Sequence, residues 1–372
     1  MGGADSARSR VPLWDTARFV TIALVVVGHA IQRLIGDSDA ALVLYLFIYA
    51  FHMPLFAIIS GYFSRPGPPN ERRMRRVITD IVLPYVIFET IWTGVQAIVE
   101  GNWSINPTKP SWTLWFLLAL GIFRLVLPYL ALVRWPLAWA IVLSVGVGYF
   151  SNVDSTFSLS RAIGILPFFV LGWKLHEWGL VDRWRLADPP ARLVRSIAVV
   201  VLAVWLAVLI AFIDVWRAVD LRFWFFYDDA YRELGQDAWW AGFVRLALIA
   251  LAVLLSAAVL ALVPRRPTLV TPLGQATMYV YLLHSFVLYP IRESGVVGGD
   301  DRSGWPWLVG LILLALLTTV GLASRPVRRV FRPLVEPRPR WLFRPDLDTR
   351  TGPMRLEPSR VDPTGSRRDR ER

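Results

Sequence analysis

The chain contains a succession of apolar runs, each about as long as a helix that crosses a bilayer. A transmembrane helix needs about 20 mostly apolar residues, and somewhat fewer where it packs among other helices. Ten runs approach or reach this length, at residues 17–36, 41–63, 78–99, 112–133, 137–151, 161–176, 194–214, 238–263, 271–291 and 305–324. The sequence therefore predicts an all-α fold, a polytopic membrane bundle of about ten transmembrane helices.

Composition narrows the chemistry. The 372 residues are 55% hydrophobic and 18% charged, and none is cysteine. The lack of cysteine excludes a thiol nucleophile, a disulfide and a thiolate metal site. The net charge of +12 would suit nucleic acid, but the arginines lie in loops and a tail beside apolar runs, where they indicate topology. We predict no nucleic-acid partner and no metal.

Arginine is concentrated in every second loop between these runs. The densest of these loops holds Arg65, Arg72, Arg73, Arg75 and Arg76. The intervening loops are relatively acidic. Because cytoplasmic loops carry the excess of Lys and Arg, we expect these arginine-rich loops and both termini in the cytoplasm. The sequence thus predicts a multi-pass protein of the cell membrane, in contact with the lipid bilayer, and the excess of Arg over Lys favours a bacterial source.

The chain divides into three parts by composition. Residues 1–12 form a short cytoplasmic segment, and residues 13–324 form the transmembrane domain. Residues 325–372 are rich in Arg and Pro and cannot bury enough apolar surface to fold alone, so they predict a disordered cytoplasmic tail. This tail either anchors the topology or contacts anionic lipid.

Several ionisable residues fall at one depth in the predicted bundle. With a rise of about 1.5 Å per residue, His29, His52 and His284 lie about 16 to 20 Å from the cytoplasmic ends of their spans. Glu89 and Arg124 fall near the same depth. Charged and ionisable groups are costly inside a membrane, so this layer predicts a polar chamber or tunnel.

Structural alternatives exist for the members of this layer. His52 precedes Met53-Pro54, and its ring could satisfy a backbone carbonyl that the proline leaves free. His284 could hydrogen-bond across helices. Glu89 and Arg124 could form a buried ion pair that joins two helices.

The first apolar run combines a cation with a histidine. Arg18 and His29 are 11 residues apart, almost three helical turns, so they share one face of a helix. Asp15 lies one turn from Arg18 and can pair with it or orient a ligand. A cation at the cytoplasmic mouth with a near-neutral base deeper in suits an anionic cofactor that enters from the cytoplasm.

Three stretches of the chain resemble a known family. They are Leu13–Arg18 leading to Val26–His29, Phe51–Phe56 with Ile59–Tyr62, and Tyr279–His284, with a weaker match at Leu114–Leu117 and Leu120. In their order and spacing these stretches resemble the integral-membrane acyltransferases of the acyltransferase 3 type, in particular the group similar to fucose 4-O-acetylases. The resemblance covers about residues 11 to 324.

The resemblance implies a donor, an acceptor and a catalytic residue. Such proteins move an acetyl or other short acyl group from acetyl-CoA or another acyl-CoA to a hydroxyl of a carbohydrate, glycolipid or glycoside acceptor. It implies His29 as the catalytic histidine with Arg18 as its partner. It also implies that a basic loop binds the donor phosphates, which guanidinium groups do bidentately. The candidates are Arg72, Arg73, Arg75 and Arg76, although the topology signal alone could place them there.

The mechanism predicted from these residues is general-base catalysis. His29 would take the proton of the acceptor hydroxyl, and an acyl-histidine relay is the alternative. Ser60, Trp115, His52 and His284 could line the chamber, together with Glu89 and Arg124. The rival function is a transporter or flippase for a polysaccharide or small glycoside. Binding or hydrolysis of a coenzyme A thioester distinguishes the two functions.

Overall fold

The computed structural model describes residues 11–68, 70–101, 106–186 and 191–343, and every regular element in these ranges is a helix. The first half comprises α1 (Pro12–Ile31), α2 (Asp39–Tyr49), α3 (His52–Tyr62), α4 (Glu71–Val77), α5 (Leu83–Glu100), α6 (Trp115–Leu130), α7 (Pro136–Val147) and α8 (Leu159–Glu177). The second half comprises α9 (Leu180–Leu186), α10 (Ala191–Ala211), α11 (Ile213–Ala218), α12 (Leu221–Trp224), α13 (Ala241–Leu262), α14 (Thr277–Glu293), α15 (Trp305–Leu322) and α16 (Arg325–Val335). The all-α prediction is confirmed.

Seven helical segments in the described ranges are long and apolar enough to cross a membrane. They are Pro12–Ile31, Asp39–Tyr62, Glu71–Glu100, Thr156–Glu177, Arg192–Ala211, Ala241–Leu262 and Trp305–Leu322. The fourth, fifth and ninth predicted spans coincide with the shorter α6, α7 and α14, of 16, 12 and 17 residues. The chain is therefore an integral membrane protein, while ten spans and cytoplasmic termini remain predictions.

Prolines explain two irregular joints in these segments. Pro54 lacks the N–H that would continue α2 into α3, so the helix stops at Tyr49 and restarts at His52. Pro84 is the second residue of α5, which directly follows a π-helical turn at Ile78–Val82 that links α4 to α5. A wider turn accommodates the carbonyl that a proline ring would otherwise meet. The first joint places the ring of His52 in the middle of a span.

The helices divide into a buried centre and a peripheral rim. In the Pro12–Ile31 segment and in the Asp39–Tyr62 segment, 78% of the most apolar 18-residue stretch is buried inside the protein. In the Arg192–Ala211 segment of α10, the buried share is 11%. The centre is tight: a Cβ added to Gly61 of α3 would lie 1.9 Å from the Phe169 carbonyl oxygen, and one on Gly172 of α8 2.0 Å from that of Ile58. Such close backbone approach is typical of packed membrane helices. The apolar rim is the surface that lipid would cover.

Contacts between distant parts of the chain define two ends of this bundle. The Arg18 end contains the start of α1, the end of α3 and α9, where the Tyr62 hydroxyl donates to the Asp182 carboxylate at 2.8 Å. The Arg161 end contains the end of α1 and the starts of α2 and α8. There, the guanidinium of Arg217 lies 2.5 Å from the carboxylate of the first residue of α2.

The segment after residue 324 differs from the expected disordered tail, because it begins with α16. Its apolar residues recur at helical spacing, and Val327, Phe331, Leu334 and Val335 pack against the core. Residues 338–343 belong to a second unit, with a short 3₁₀ turn at Arg340–Leu342. Residues 1–10 and 344–372, which complete the predicted terminal segments, lie outside the described residues.

Candidate active site

The three histidines predicted to share a level lie together. The rings of His29 and His284 are 5.5 Å apart between centroids. The Tyr49 ring lies between His29 and His52, with ring centroids 6.3 Å from His29 and 4.5 Å from His52. A Cβ on Gly28 would meet this tyrosine ring at 2.9 Å, so the glycine next to His29 makes room for it. Histidines from α1, α3 and α14 thus form one cluster.

Backbone contacts determine which ring nitrogen carries the proton in two of these histidines. His52 Nδ1 lies 3.0 Å from the Ile48 carbonyl oxygen, and His284 Nδ1 lies 2.9 Å from that of Val280. A carbonyl oxygen only accepts hydrogen bonds, so in both rings Nδ1 is the donor and Nε2 is the acceptor. His52 therefore bonds a carbonyl one turn back on its own chain, but this is the carbonyl of Ile48 and not that of Ala50, which is the one that Pro54 leaves without an N–H. His284 is also tied to its own helix, rather than bonded across helices through Nδ1.

A cavity of about 240 Å³ joins His29 to Arg18. Ser60 and Trp115 also line this cavity, so two of the predicted chamber residues face it. At its Arg18 end the guanidinium lies 3.5 Å from the buried Asp15 carboxylate, and it stacks on the Phe63 ring at 4.5 Å. The predicted pairing of Arg18 with Asp15 is present.

A second cavity, of about 200 Å³, extends from His29 toward Arg161. His52 and Trp115 line it as well, so His29 and Trp115 belong to both cavities. The Arg161 guanidinium lies over the Trp115 ring at 4.7 Å and is paired with the Asp228 carboxylate. Ser160 donates to the same carboxylate at 2.5 Å.

The backbone between α5 and α6 enters the bundle without helical structure. Ser111 is held by the buried Glu89 carboxylate, which accepts from its N–H at 2.9 Å and from its hydroxyl at 2.7 Å. The Tyr281 hydroxyl donates to the Thr113 carbonyl, and the Thr113 and Ser285 hydroxyls are 3.1 Å apart. Irregular backbone at membrane depth is tolerated where side chains satisfy it or where it lines a cavity.

This arrangement corrects the expected ion pair between Glu89 and Arg124. Glu89 is occupied by Ser111, while Arg124 is exposed. The reason is helical geometry, because Arg124 is nine residues after Trp115 and so points about 180° away from it. Arg124 lies near Asp80 instead, and it is not a chamber residue.

The four arginines proposed for the donor lie on α4 and line neither cavity. Arg73 donates to the Gly67 carbonyl at 2.9 Å, and Arg75 pairs with Glu71 at 2.6 Å. Arg72 and Arg76 are exposed. The structure therefore separates these arginines from the cavity that contains Arg18.

Sequence reasoning missed three residues around the cluster: Tyr49, Arg161 and Arg292, all of which line the second cavity. The two arginines could have been found, because each lies at the acidic end of a predicted span, where the topology rule does not favour a basic residue. Tyr49 carries no such signal. In the described ranges no group of three His, Asp or Glu side chains is placed to hold a metal ion.

Comparison with known proteins identifies the family. A family model described as an acyltransferase domain matches residues 12–324. The nodulation protein NolL of Mesorhizobium japonicum is 29% identical over 174 residues, which are 43% of this chain and 46% of that protein. The alignment with this relative thus spans less than half of either protein. No solved structure gives a significant match. The extent of the family match, on a chain with helices that can span a membrane, shows that the protein belongs to the acyltransferase 3 family of integral membrane proteins.

Proposed function

We propose that this protein is an O-acyltransferase, with His29 as general base. It moves an acyl group, by default acetyl, from a cytoplasmic acyl-CoA to a hydroxyl of a carbohydrate, glycolipid or glycoside. The observation that carries the proposal is the position of His29, which lines both the cavity that reaches Arg18 and the cavity that reaches Arg161. A donor and an acceptor that enter from opposite ends would meet at this ring.

The Arg18 cavity suits the thioester arm of the donor. Its wall is mostly apolar, with Val25, Met53 and Phe56 beside Ser60. Its volume of about 240 Å³ is below the roughly 300–1,000 Å³ that encloses a drug-sized ligand. The acyl-pantetheine arm would therefore enter, while the nucleotide stays outside at the Arg18 end. The arginine-rich loops favour the cytoplasmic side of the cell membrane for that end.

The reaction needs a base and a route for one proton. His29 takes the proton from the acceptor hydroxyl as the oxygen attacks the thioester carbonyl, and a C–O bond forms. The C–S bond then breaks, and the imidazolium returns the proton to the coenzyme A thiolate. His284, whose Nε2 is an acceptor, lies close enough to orient the His29 ring after a small movement. Asp15 would hold Arg18 in place for the donor phosphates.

The test is the His29→Ala variant of the purified full-length protein. A positioned general base contributes about 100- to 10,000-fold, so transfer from acetyl-CoA to the native acceptor should fall by that factor. His176→Ala is the matched control, because His176 is exposed at the Arg18 end and contacts Tyr62. It should retain full activity.

Unchanged transfer by a correctly inserted His29→Ala protein would refute His29 as the base. If the wild-type protein neither bound nor hydrolysed acetyl-CoA, the transporter or flippase would be favoured instead.

A further inference from the structure

We infer that the Arg161 cavity selects an acceptor that carries an anionic group, a carboxylate or a phosphate, and that Arg292 recognises this group. The inference rests on the proposed function and specifies its acceptor. It starts from the walls of the cavity, which combine aromatic rings with two guanidinium groups.

The rings offer the flat apolar faces on which a sugar packs. Aromatic side chains line the Arg161 cavity, among them Tyr49, Trp112, Trp115 and Phe226. Aromatic side chains give large contact areas at low entropic cost, and the hydroxyl or N–H at their edge adds a hydrogen bond. The ring composition alone would suit a neutral glycoside.

The charges on the same walls are of one sign. Arg161 and Arg292 line the cavity, and among its described lining residues none is acidic. The Arg161 charge is matched behind the wall by Asp228. Arg161 therefore has a partner already, and recognition of an anion falls to Arg292.

Among the described contacts, Arg292 is ion-paired with one carboxylate, and it shares that carboxylate with a second arginine. Glu293 lies 3.2 Å from Arg292 and 3.3 Å from Arg33, so one carboxylate serves two guanidinium groups. The nearby Glu100 carboxylate accepts the Tyr289 hydroxyl at 2.9 Å. Arg292 therefore has one ion-paired carboxylate, which it shares with Arg33, and its planar guanidinium can bind a carboxylate or phosphate in the cavity through bidentate hydrogen bonds.

Arg292 also lies where an acceptor would enter. A third, more open cavity of about 460 Å³ at the same end is lined by Glu89, Lys109, Trp112 and Arg292. The Arg292 guanidinium stacks on the Trp112 ring at 4.2 Å, and these two residues line both this cavity and the one that reaches His29. Trp112 has φ of 51°, a conformation that a bulky residue adopts only when its surroundings enforce it. An acceptor that moves from the open cavity toward His29 passes this stacked pair.

The experiment measures binding of three probes to the full-length protein by calorimetry at low salt. The probes are methyl glucopyranoside, methyl glucuronopyranoside and glucose 6-phosphate, which are neutral, carboxylated and phosphorylated. At least one anionic probe should bind about tenfold more tightly than the neutral probe, the difference expected for a hydrogen-bonded charge. The carboxylate and phosphate arms identify which group the site prefers.

Arg292→Gln should bind all three probes equally, whereas Arg292→Lys should keep the preference because it keeps the charge. Arg232→Gln is the control, since Arg232 is exposed at the same end and is not a lining residue. Equal binding of all probes by the wild-type protein, including no binding at all, would overturn the inference. So would a preference that survives in Arg292→Gln.

The outcome is separate from that of the proposed function. Hydrolysis of acetyl-CoA that depends on His29, with no preference for an anion, would overturn this inference alone. A preference that depends on Arg292, in a protein that neither binds nor hydrolyses acetyl-CoA, would overturn the proposed function alone.

Discussion

The two cavities that meet at His29 are similar in volume and different in chemistry. The Arg18 cavity, of about 240 Å³, is mostly apolar with one arginine at its far end. The Arg161 cavity, of about 200 Å³, has aromatic walls, two arginines and two histidines. A thioester arm needs a narrow apolar passage, whereas a sugar needs flat rings and polar groups. Under the proposed function, this difference assigns the Arg18 cavity to the donor and the Arg161 cavity to the acceptor.

The variant expected to have the largest effect changes the region where the cavities meet. His284→Gln removes the ring that faces His29 at 5.5 Å, and kcat should fall by about 10- to 100-fold, less than for loss of the base itself. Both KM values should change little, because His284 lines neither cavity. Steady-state kinetics with each substrate varied would measure this, with His52→Gln as the more distant comparison. A change in KM alone would show that His284 serves binding.

The next variant separates the two cavities. Arg18→Ala should raise the KM for acetyl-CoA by about tenfold, the effect of losing a charge-assisted hydrogen bond. It should not alter binding of an anionic sugar at the other end. Arg266→Ala, an exposed arginine at the Arg18 end, is the control. If Arg18→Ala weakened the acceptor and the donor equally, the assignment of one substrate to each cavity would fail.

A smaller effect is expected from the arginines of α4. The double variant Arg72→Ala with Arg76→Ala removes two exposed guanidinium groups, and exposed ion pairs each contribute about 0.2–1 kcal/mol. The KM for acetyl-CoA should rise about threefold, while that for acetyl-pantetheine, which lacks the nucleotide phosphates, should not change. An equal change in the KM of both donors would mean that these arginines do not bind the nucleotide phosphates and serve only to orient the chain in the membrane.

The smallest effect concerns stability at the Arg161 end. Burial, with the neighbouring Asp228 and Glu233 carboxylates, raises the pKa of Asp229. The folded state then binds more protons than the unfolded state, so its stability falls as the pH rises from acid to neutral. Asp229→Asn should therefore raise the melting temperature at pH 7 by about 1 °C, and the gain should vanish on acidification.

Asp154→Asn is the control of opposite sign for that measurement. Hydrogen bonds from the side chain and the backbone N–H of Thr156 hold the pKa of Asp154 below its usual range. Its folded state is therefore favoured at neutral pH, and the substitution should lower the melting temperature there. A gain from both substitutions would show that net charge, rather than local environment, controls stability at this end.

The sequence predicted the helical class and the meeting of the histidines because both follow from regular geometry. Apolar runs fix the helices, and a constant rise per residue places His29, His52 and His284 at one level. The partners of Glu89 and Arg124 could not be predicted in the same way. They depend on helix rotation and on the backbone at Ser111, which leaves the helical pattern.

The start of α16 escaped prediction for a related reason. Its composition is typical of disorder, and only the spacing of Val327, Phe331 and Leu334 indicates an amphipathic helix that packs on its neighbours. The second cavity is likewise made by residues from segments far apart in the chain. Its charge pattern is recognised only from the fold, which brings Arg161 and Arg292 to the same cavity.

The shared position of His29 has a consequence for the membrane as an insulator. A bilayer normally places about 30 Å of hydrocarbon between two aqueous compartments. Here, the two cavities are both lined by the same imidazole, so this ring and its immediate neighbours form the barrier between them. The protein must therefore exclude free passage of protons and ions at the point where, in the proposed function, its two substrates meet. The stacked pair of Trp112 and Arg292 lies on the approach to that point from the Arg161 end.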